Sequence, residues 1–215
     1  MISVDEKSGI QAIYRKESPM KKGQIKRQEY EYKRNGTTTL IAAQDVGTGK
    51  LIHGHLGPTR NEKDFLKFCQ QVTRLYTKSD KVIFLVDQLN THKSASLVEW
   101  IAKEINYEGD LGKKEKNGIL KSMKSRMLFL EDKNHRIRFV YTPKHCSWLN
   151  PIENWFGKLQ RHVITGGVNS SIEELENKIR AYISYYNECM LKPLNWKFKG
   201  FTKCKDLDHG IYHKT

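Results

Sequence analysis

At the start of the chain, in "ISVDEKSGIQAI", Ile2 and Val4 alternate with Ser3 and Asp5, and this period of two predicts a strand. The basic, polar stretch that follows, "RKESPMKKGQIKRQEYEYKRNG", reads as a loop. Next come the β-rich "TTTLIAAQDV", the turn "GTGK", with Asp45 as a hairpin turn residue, and "LIHGHL", which can return as the next strand. These segments predict three strands in an antiparallel meander.

The period then lengthens. In "TRNEKDFLKFCQQVTRLYT", Phe65, Cys69, Val72 and Tyr76 recur at helical spacing, behind a capping-box pattern of Thr59 and Glu62. Val82 to Val86 is an unbroken apolar run, as expected of a parallel strand buried on both faces. "SASLVEWIAKEI" puts Leu97, Val98, Ile101 and Ile105 on one face of a helix. From Tyr107 to about Arg136 there is little periodicity and much lysine, which predicts a basic insertion, partly helical or mobile. "RIRFVYTP" alternates again and reads as a strand. Two helices follow, one from about Pro151 and one from a Ser171 to Glu174 capping box that turns Ile172, Leu175, Ile179, Ile183 and Tyr186 inward. The tail is irregular by pattern. This order predicts an α/β domain whose mixed sheet has an antiparallel half and a parallel half.

Composition sharpens the picture. Among 215 residues, 38 Lys and Arg face 24 Asp and Glu, a net charge of +14, which favours a polyanionic partner and above all nucleic acid. The four cysteines form no C-x-x-C pair, so a disulfide framework is not expected. Cys204, His209 and His213 have no standard zinc spacing and read as a surface cluster. No segment approaches the about 20 apolar residues of a membrane span, and the N-terminus carries no apolar signal core. The expectation is a reduced, cytoplasmic protein.

Three acidic residues fall where such a sheet places ligand sites, around the carboxyl ends of its parallel strands. Asp5 lies on the first strand, Asp87 closes the buried apolar strand, and Glu153 follows the last strand on the opening turn of a helix. Converging carboxylates raise one another's pKa unless a cation sits among them, and divalent metal removes that cost. Each acid also has a plain reading. Asp5 suits a strand or turn, Asp87 can cap the loop that follows it, and Glu153 falls at N3 of a capping box if Asn150 is the N-cap and Pro151 is N1.

The blocks "VDEKSGIQAI", "YEYKRNGTTTLIAAQDVGTGKL", "VIFLVDQLNTHKS" and "YTPKHCSWLNPIENWF" resemble, in order, those of bacterial insertion-sequence transposases of the mariner superfamily; "LKPLNWKFKGF" resembles the closing block. The resemblance implies a ribonuclease-H-like fold of five strands and a DDE triad of Asp5, Asp87 and Glu153. It implies two Mg²⁺ or Mn²⁺ ions, with Asp5 bridging both and Asp87 and Glu153 holding one each. Metal-activated water would cut DNA at the element ends, and the freed 3′-hydroxyl would attack target DNA, commonly at a TA step. Double-stranded DNA is the implied partner, and a homodimer on DNA the implied assembly, nucleoid-associated when bound. Gln88, Asn90, His92, His145 and Asn150 match positions beside that site, as do Ser147 and Trp148. The plain alternatives are His92 capping a helix and Trp148 filling core.

The sequence departs from that pattern in two places. Gln88 stands where an Asn usually follows the second Asp, and the spacing from Asp87 to Glu153 is longer than usual, by a surplus that falls in residues 107–136. Only four residues precede Asp5, so the expectation is a single catalytic domain over residues 1–215 without helix-turn-helix modules. The rival readings are another ribonuclease-H-like nuclease, such as one acting on RNA–DNA hybrids, and a catalytically silent DNA-binding remnant. The charge balance makes one prediction common to the DNA readings. Affinity for DNA, followed by fluorescence anisotropy, falls by about a thousandfold or more between roughly 50 and 200 mM salt if six or more phosphates are neutralised. A flat dependence contradicts it.

Overall fold

In a computed structural model of the chain, residues 1–16 and 31–194 are described. Strands β1 (Ile2–Tyr14), β2 (Lys33–Asp45) and β3 (Leu51–Gly57) form the antiparallel meander. Strand β4 (Val82–Val86) then lies parallel to β1, and β5 (Ile137–Tyr141) parallel to β4. The order across the sheet is β3-β2-β1-β4-β5, so the first strand is central and joins the antiparallel half to the parallel half. Part of the anticipated loop, Lys33 to Gly36, instead extends β2. The rest of that loop from residue 17 to 30, the cluster of Cys204, His209 and His213, and most of the closing block lie outside the described residues.

Helices cover both faces. On one side α1 (Glu62–Thr73), α2 (Ala95–Glu104) and α3 (Met123–Leu130) share a core with Ile2, Val4, Phe84, Ile137 and Phe139. On the other, α4 (Ile152–Leu159) and α5 (Ile172–Tyr185) pack Trp155, Phe156, Leu175 and Ile179 on Ile10, Ala12, Leu40 and Ala42. β1 serves both cores from even-numbered positions because its pleat is interrupted. Lys7 pairs with Leu40 and Ile10 with Thr38, so Ser8 and Gly9 together oppose one residue. This is a bulge, and Gly9 adopts the positive φ of 70° that it requires.

Two helix starts differ from the expected capping. The N-cap of α1 is Asn61, whose side-chain oxygen accepts from the N–H groups of Lys63 and Asp64 while Asp64 accepts from the Asn61 N–H. Thr59 instead donates to Asp64, and Glu62 accepts from Ser96. At α5 Ser171 does cap the Glu174 N–H, but the Glu174 carboxylate accepts from Ser170 rather than closing the box on Ser171. In each case several polar side chains competed for the same few N–H groups, and the spacing alone did not rank them.

Residues 107–136 are folded. A bridge between Lys113 and Asn117 and a 3₁₀ turn (Ile119–Lys121) lead into α3, where Ser122 and Ser125 make a reciprocal cap. Leu120 and Leu130 are buried in the first core, with Leu111, Ile119 and Phe129 against it. The anchors are irregularly spaced, because they come from a turn, a bridge and two short helical pieces. That is why no period announced them. Leu130 is fully buried, so Leu130→Ala should cost about 2–5 kcal/mol in urea unfolding. A change near zero would mean that the segment is not part of the core.

Candidate active site

Asp5 and Asp87 are neighbours by register. In the parallel β1–β4 ladder Ser3 stands opposite Leu85, so two residues further along each strand the chain reaches Asp5 and Asp87. Glu153 arrives from the other direction, on the first turn of α4.

A buried polar knot fixes α4 against β1. The Ser3 hydroxyl donates to the Asn150 side-chain oxygen and accepts from the Ile152 N–H at 3.0 Å. The Asn150 side-chain nitrogen donates to the Val4 carbonyl at 2.9 Å and to Asp5 at 3.3 Å. Thus the first N–H of α4 is capped from another strand, and Asn150, expected as the N-cap, is spent on β1. Glu153 does not close a capping box either. The Asn150 N–H goes to the Ser147 carbonyl, and the Glu153 N–H to the Asn150 carbonyl. The Glu153 carboxylate is left half-buried and facing the other acids.

The electrostatics report the crowding. Burial, with repulsion from Asp87, Glu6 and Glu153, pushes the Asp5 carboxyl up to about 7, although the Glu6 N–H bonds its ionised form. Burial raises Glu153 as well, and Asp87 adds to this while Lys7 opposes it. For Asp87 burial is outweighed. Hydrogen bonds from His92 and the Leu89 N–H hold it below the usual carboxylate range.

His92 is fully buried and stacks on Phe65 with ring centres 4.2 Å apart. Its Nδ1 lies 2.8 Å from Asp87 Oδ1 and its Nε2 lies 3.0 Å from Glu6 Oε1. A ring that meets a carboxylate at each nitrogen donates at both, so it carries charge. Burial opposes that charge, but the two bonds win and raise the imidazolium to about 9. His92 is therefore a cationic tie between β1 and the end of β4, not a helix cap. Glu6 is the functional residue that the sequence reading missed. Ile2, Val4 and Glu6 share one parity, so an acid that continues a buried apolar stripe was the available signal.

The remaining expected residues spread around the mouth. Gln88 donates to the Thr142 carbonyl and accepts from Lys93, tying the ends of β4 and β5 rather than touching the acids. Asn90 and His145 are exposed and line a cavity beside Asp87, with no hydrogen bond to the acids; His145 has a φ of 61°. Ser147 lines the same cavity. Trp148 is 57% exposed and fills no core. Asp45 caps its hairpin turn, accepting from the Thr48 N–H and hydroxyl.

Among the described residues no three His, Cys, Asp or Glu side chains close on one point as ligands of a single ion. The donor chemistry nonetheless fits hard divalent cations. Three carboxylates that destabilise one another's charge are oxygen donors in need of a counter-ion. Mg²⁺ takes one or two carboxylates and completes its shell with water and phosphate oxygens, so these acids need not all close on one ion.

A family profile described as DDE superfamily endonuclease matches residues 1–176, and one described as integrase core domain matches residues 153–205. No curated protein sequence matches. Among solved structures, a pre-cleavage Mos1 transpososome is similar with a TM-score of 0.55 at 16% identity, over 85% of this chain and 48% of that one. The Mos1 strand transfer complex gives 0.53 at 17%, over 85% and 46%. The Mos1 transposase catalytic domain with raltegravir and Mn gives 0.52 at 13%, over 85% and 69%. At these identities the likeness is one of fold, which is ribonuclease-H-like. The chain spans slightly less than half the length of the first two of these chains.

The ionisations set a pH dependence. In metal-free buffer the folded state keeps a proton on Asp5 up to about 7, whereas an unfolded Asp loses it near 4, so stability falls as pH rises through that window. His92 acts in the same direction. Its stabilisation is complete below about 6.5 and is lost as pH rises through about 9. Asp87 contributes the opposite slope, losing stability only in acid. The melting temperature should therefore decline from about pH 5 to pH 9, with Asp5 contributing about 2–3 kcal/mol over that range. Asp5→Asn should melt higher than wild type at pH 8, and Mn²⁺ should raise the wild type but not the variant. A variant that melts lower at pH 8 refutes this account.

Proposed function

The chain belongs to the DDE superfamily endonucleases, and from that premise we propose that it is the catalytic domain of a transposase, cutting DNA and joining the freed end to a target. The observation that carries the reading is the meeting of Asp5, Asp87 and Glu153 from three elements, close enough for each to disturb another's ionisation. We assign these three as the metal-binding and catalytic residues. Residues 1–215 form one such domain, with residues 107–136 as its basic insertion, and its origin is a bacterial insertion sequence. It acts in the cytoplasm on double-stranded DNA, as a homodimer, in keeping with the paired-end and strand-transfer assemblies of Mos1.

Asp5, Asp87 and Glu153 would hold divalent ions, which would supply activation of the attacking oxygen and stabilisation of the leaving one. The chain's own side chains do the positioning. Asn150 orients Asp5, and His92, braced by Glu6 and Phe65, fixes Oδ1 of Asp87 and leaves its other oxygen free. The phosphorus–oxygen bond to a 3′ oxygen breaks as water adds, leaving a 3′-hydroxyl and a 5′-phosphate. In the joining step that hydroxyl takes the place of water. The surplus of lysine holds the phosphates.

Two measurements test the proposal. Calorimetry with Mn²⁺ should show saturable binding that Glu153→Gln weakens; equal binding returns Glu153 to a structural role. On duplex DNA the wild type should cleave only with Mg²⁺ or Mn²⁺, Asp87→Ala should fall to the metal-free level, and Asn150→Ala should lose about 10–100-fold. Cleavage of RNA–DNA hybrids but not of duplex DNA would sink the transposase reading. Equal inactivity of wild type and Asp87→Ala would favour a silent remnant.

A further inference from the structure

Beside Asp87 opens a cavity of about 850 Å³, walled on one side by α3 and on the other by the loop from Pro143 to Ser147. Its chemistry is mixed. Met123 and Met127 of α3 supply apolar surface, while Lys93, Lys124 and Lys144 supply cations. Lys93 is a built part of this wall. It is only 8% exposed, bonds Gln88 at 3.2 Å, and lies 5.6 Å over the Tyr141 ring. Its ammonium is held below the usual lysine range by burial and then by the nearby Lys144, while Asp87 and Glu131 favour its charge. Lys93, Lys124 and Lys144 thus line one cavity and offer it donors for the oxygens of an anion. Directly after the cavity-lining Ser147 comes Trp148, more than half exposed, on the 3₁₀ turn (Ser147–Leu149) that leads to Glu153.

A duplex presents its phosphates outside and its bases stacked within, so it has little use for a cavity lined by Met123 and Met127 with a bare tryptophan next in sequence to its wall. Unpaired bases do, because each offers a π-face to an aromatic or a thioether while its phosphate meets a lysine. The volume is that of a small-molecule site, which suits one or two nucleotides and not a double helix. We infer that the cleft between α3 and the loop 143–148 binds a single, unpaired DNA strand next to the catalytic carboxylates, with Trp148 stacking on one base and Lys93, Lys124 and Lys144 meeting the phosphates. The inference rests on the endonuclease reading of the site and adds the form of DNA that enters it. It also gives residues 107–136 a role, since α3 is the wall they build.

The test uses the 215-residue chain in EDTA, so that binding is separated from cleavage. Fluorescein-labelled oligothymidylate is titrated and followed by anisotropy, with a hairpin duplex of equal phosphate number and polyglutamate as competitors. Trp148→Ala should lose roughly tenfold in affinity for the single strand, and Trp148→Phe should retain most of it. Lys124→Ala with Met127→Ala should weaken the single strand more than the duplex. Both variants should melt as the wild type does to within a few degrees, because Trp148 is exposed and Met127 is only partly buried; where the α3 pair does not, Trp148→Ala alone decides. Unchanged single-strand affinity in Trp148→Ala, an equal loss for the duplex, or polyglutamate competing as well as DNA would overturn the inference. Cleavage of duplex with metal but no single-strand binding would overturn it and leave the endonuclease reading standing. Single-strand binding through Trp148 without cleavage of any DNA would do the reverse.

Discussion

Everything at the carboxylate site depends on one buried hydroxyl. Ser3 donates to Asn150 and accepts from the first N–H of α4, and Asn150 completes the knot on Val4 and Asp5. A helix start normally satisfies its N–H groups locally or with water. Here one is satisfied by the central strand, so α4 cannot shift along β1 without leaving buried polar groups unpaired, at a cost of about 1–3 kcal/mol each. Glu153 is thereby set opposite Asp5 and Asp87, and the apolar face of α4 is laid on the second core in the same motion.

Around that knot the charges are sorted by sign. The acids are packed so that Asp5 is hard to ionise, and among the described residues His92, Lys93 and Lys7 answer them. On the far side of Asp87, Lys144 disfavours the charge of Lys93, which Asp87 and Glu131 favour. Divalent cations would relieve the acids and a phosphate backbone would meet the lysines, and the proposed metal-dependent reaction on DNA would bring both together. Poor self-compensation is thus the feature that links the fold to its chemistry.

Much of this was legible in the chain. The period-two segments, the apolar run from Val82 to Val86 and the helical stripes named the strands and helices in order, and the alternating order implied which strands were parallel. The three acids could be nominated because Asp5 lies on the first strand, Asp87 closes the apolar run and Glu153 follows the last strand, each in a block that carries the resemblance. The misses share a cause. Asn150 looked like a local cap because sequence shows near neighbours only, and its real partners sit on β1. Residues 107–136 looked loose because their buried anchors come from pieces too short to repeat a period. Trp148, matched to a position beside the site, had core filling as its plain alternative, yet the loop that holds it leaves it in solvent.

By itself, then, the sequence determined the elements, their order and the residue types available for chemistry, because periodicity and strand-end position are local properties. Only the tertiary structure decided which of them meet. The parallel register put Asp5 beside Asp87, the bulge at Gly9 let β1 serve two cores, and the Ser3 knot turned Glu153 toward the acids. It also enlisted Glu6, on the opposite face of β1 from Asp5, through a histidine reaching across from the end of β4. Contacts of this kind join residues far apart in the chain. They are settled by packing and by the satisfaction of buried polar groups, neither of which leaves a repeating mark in the sequence.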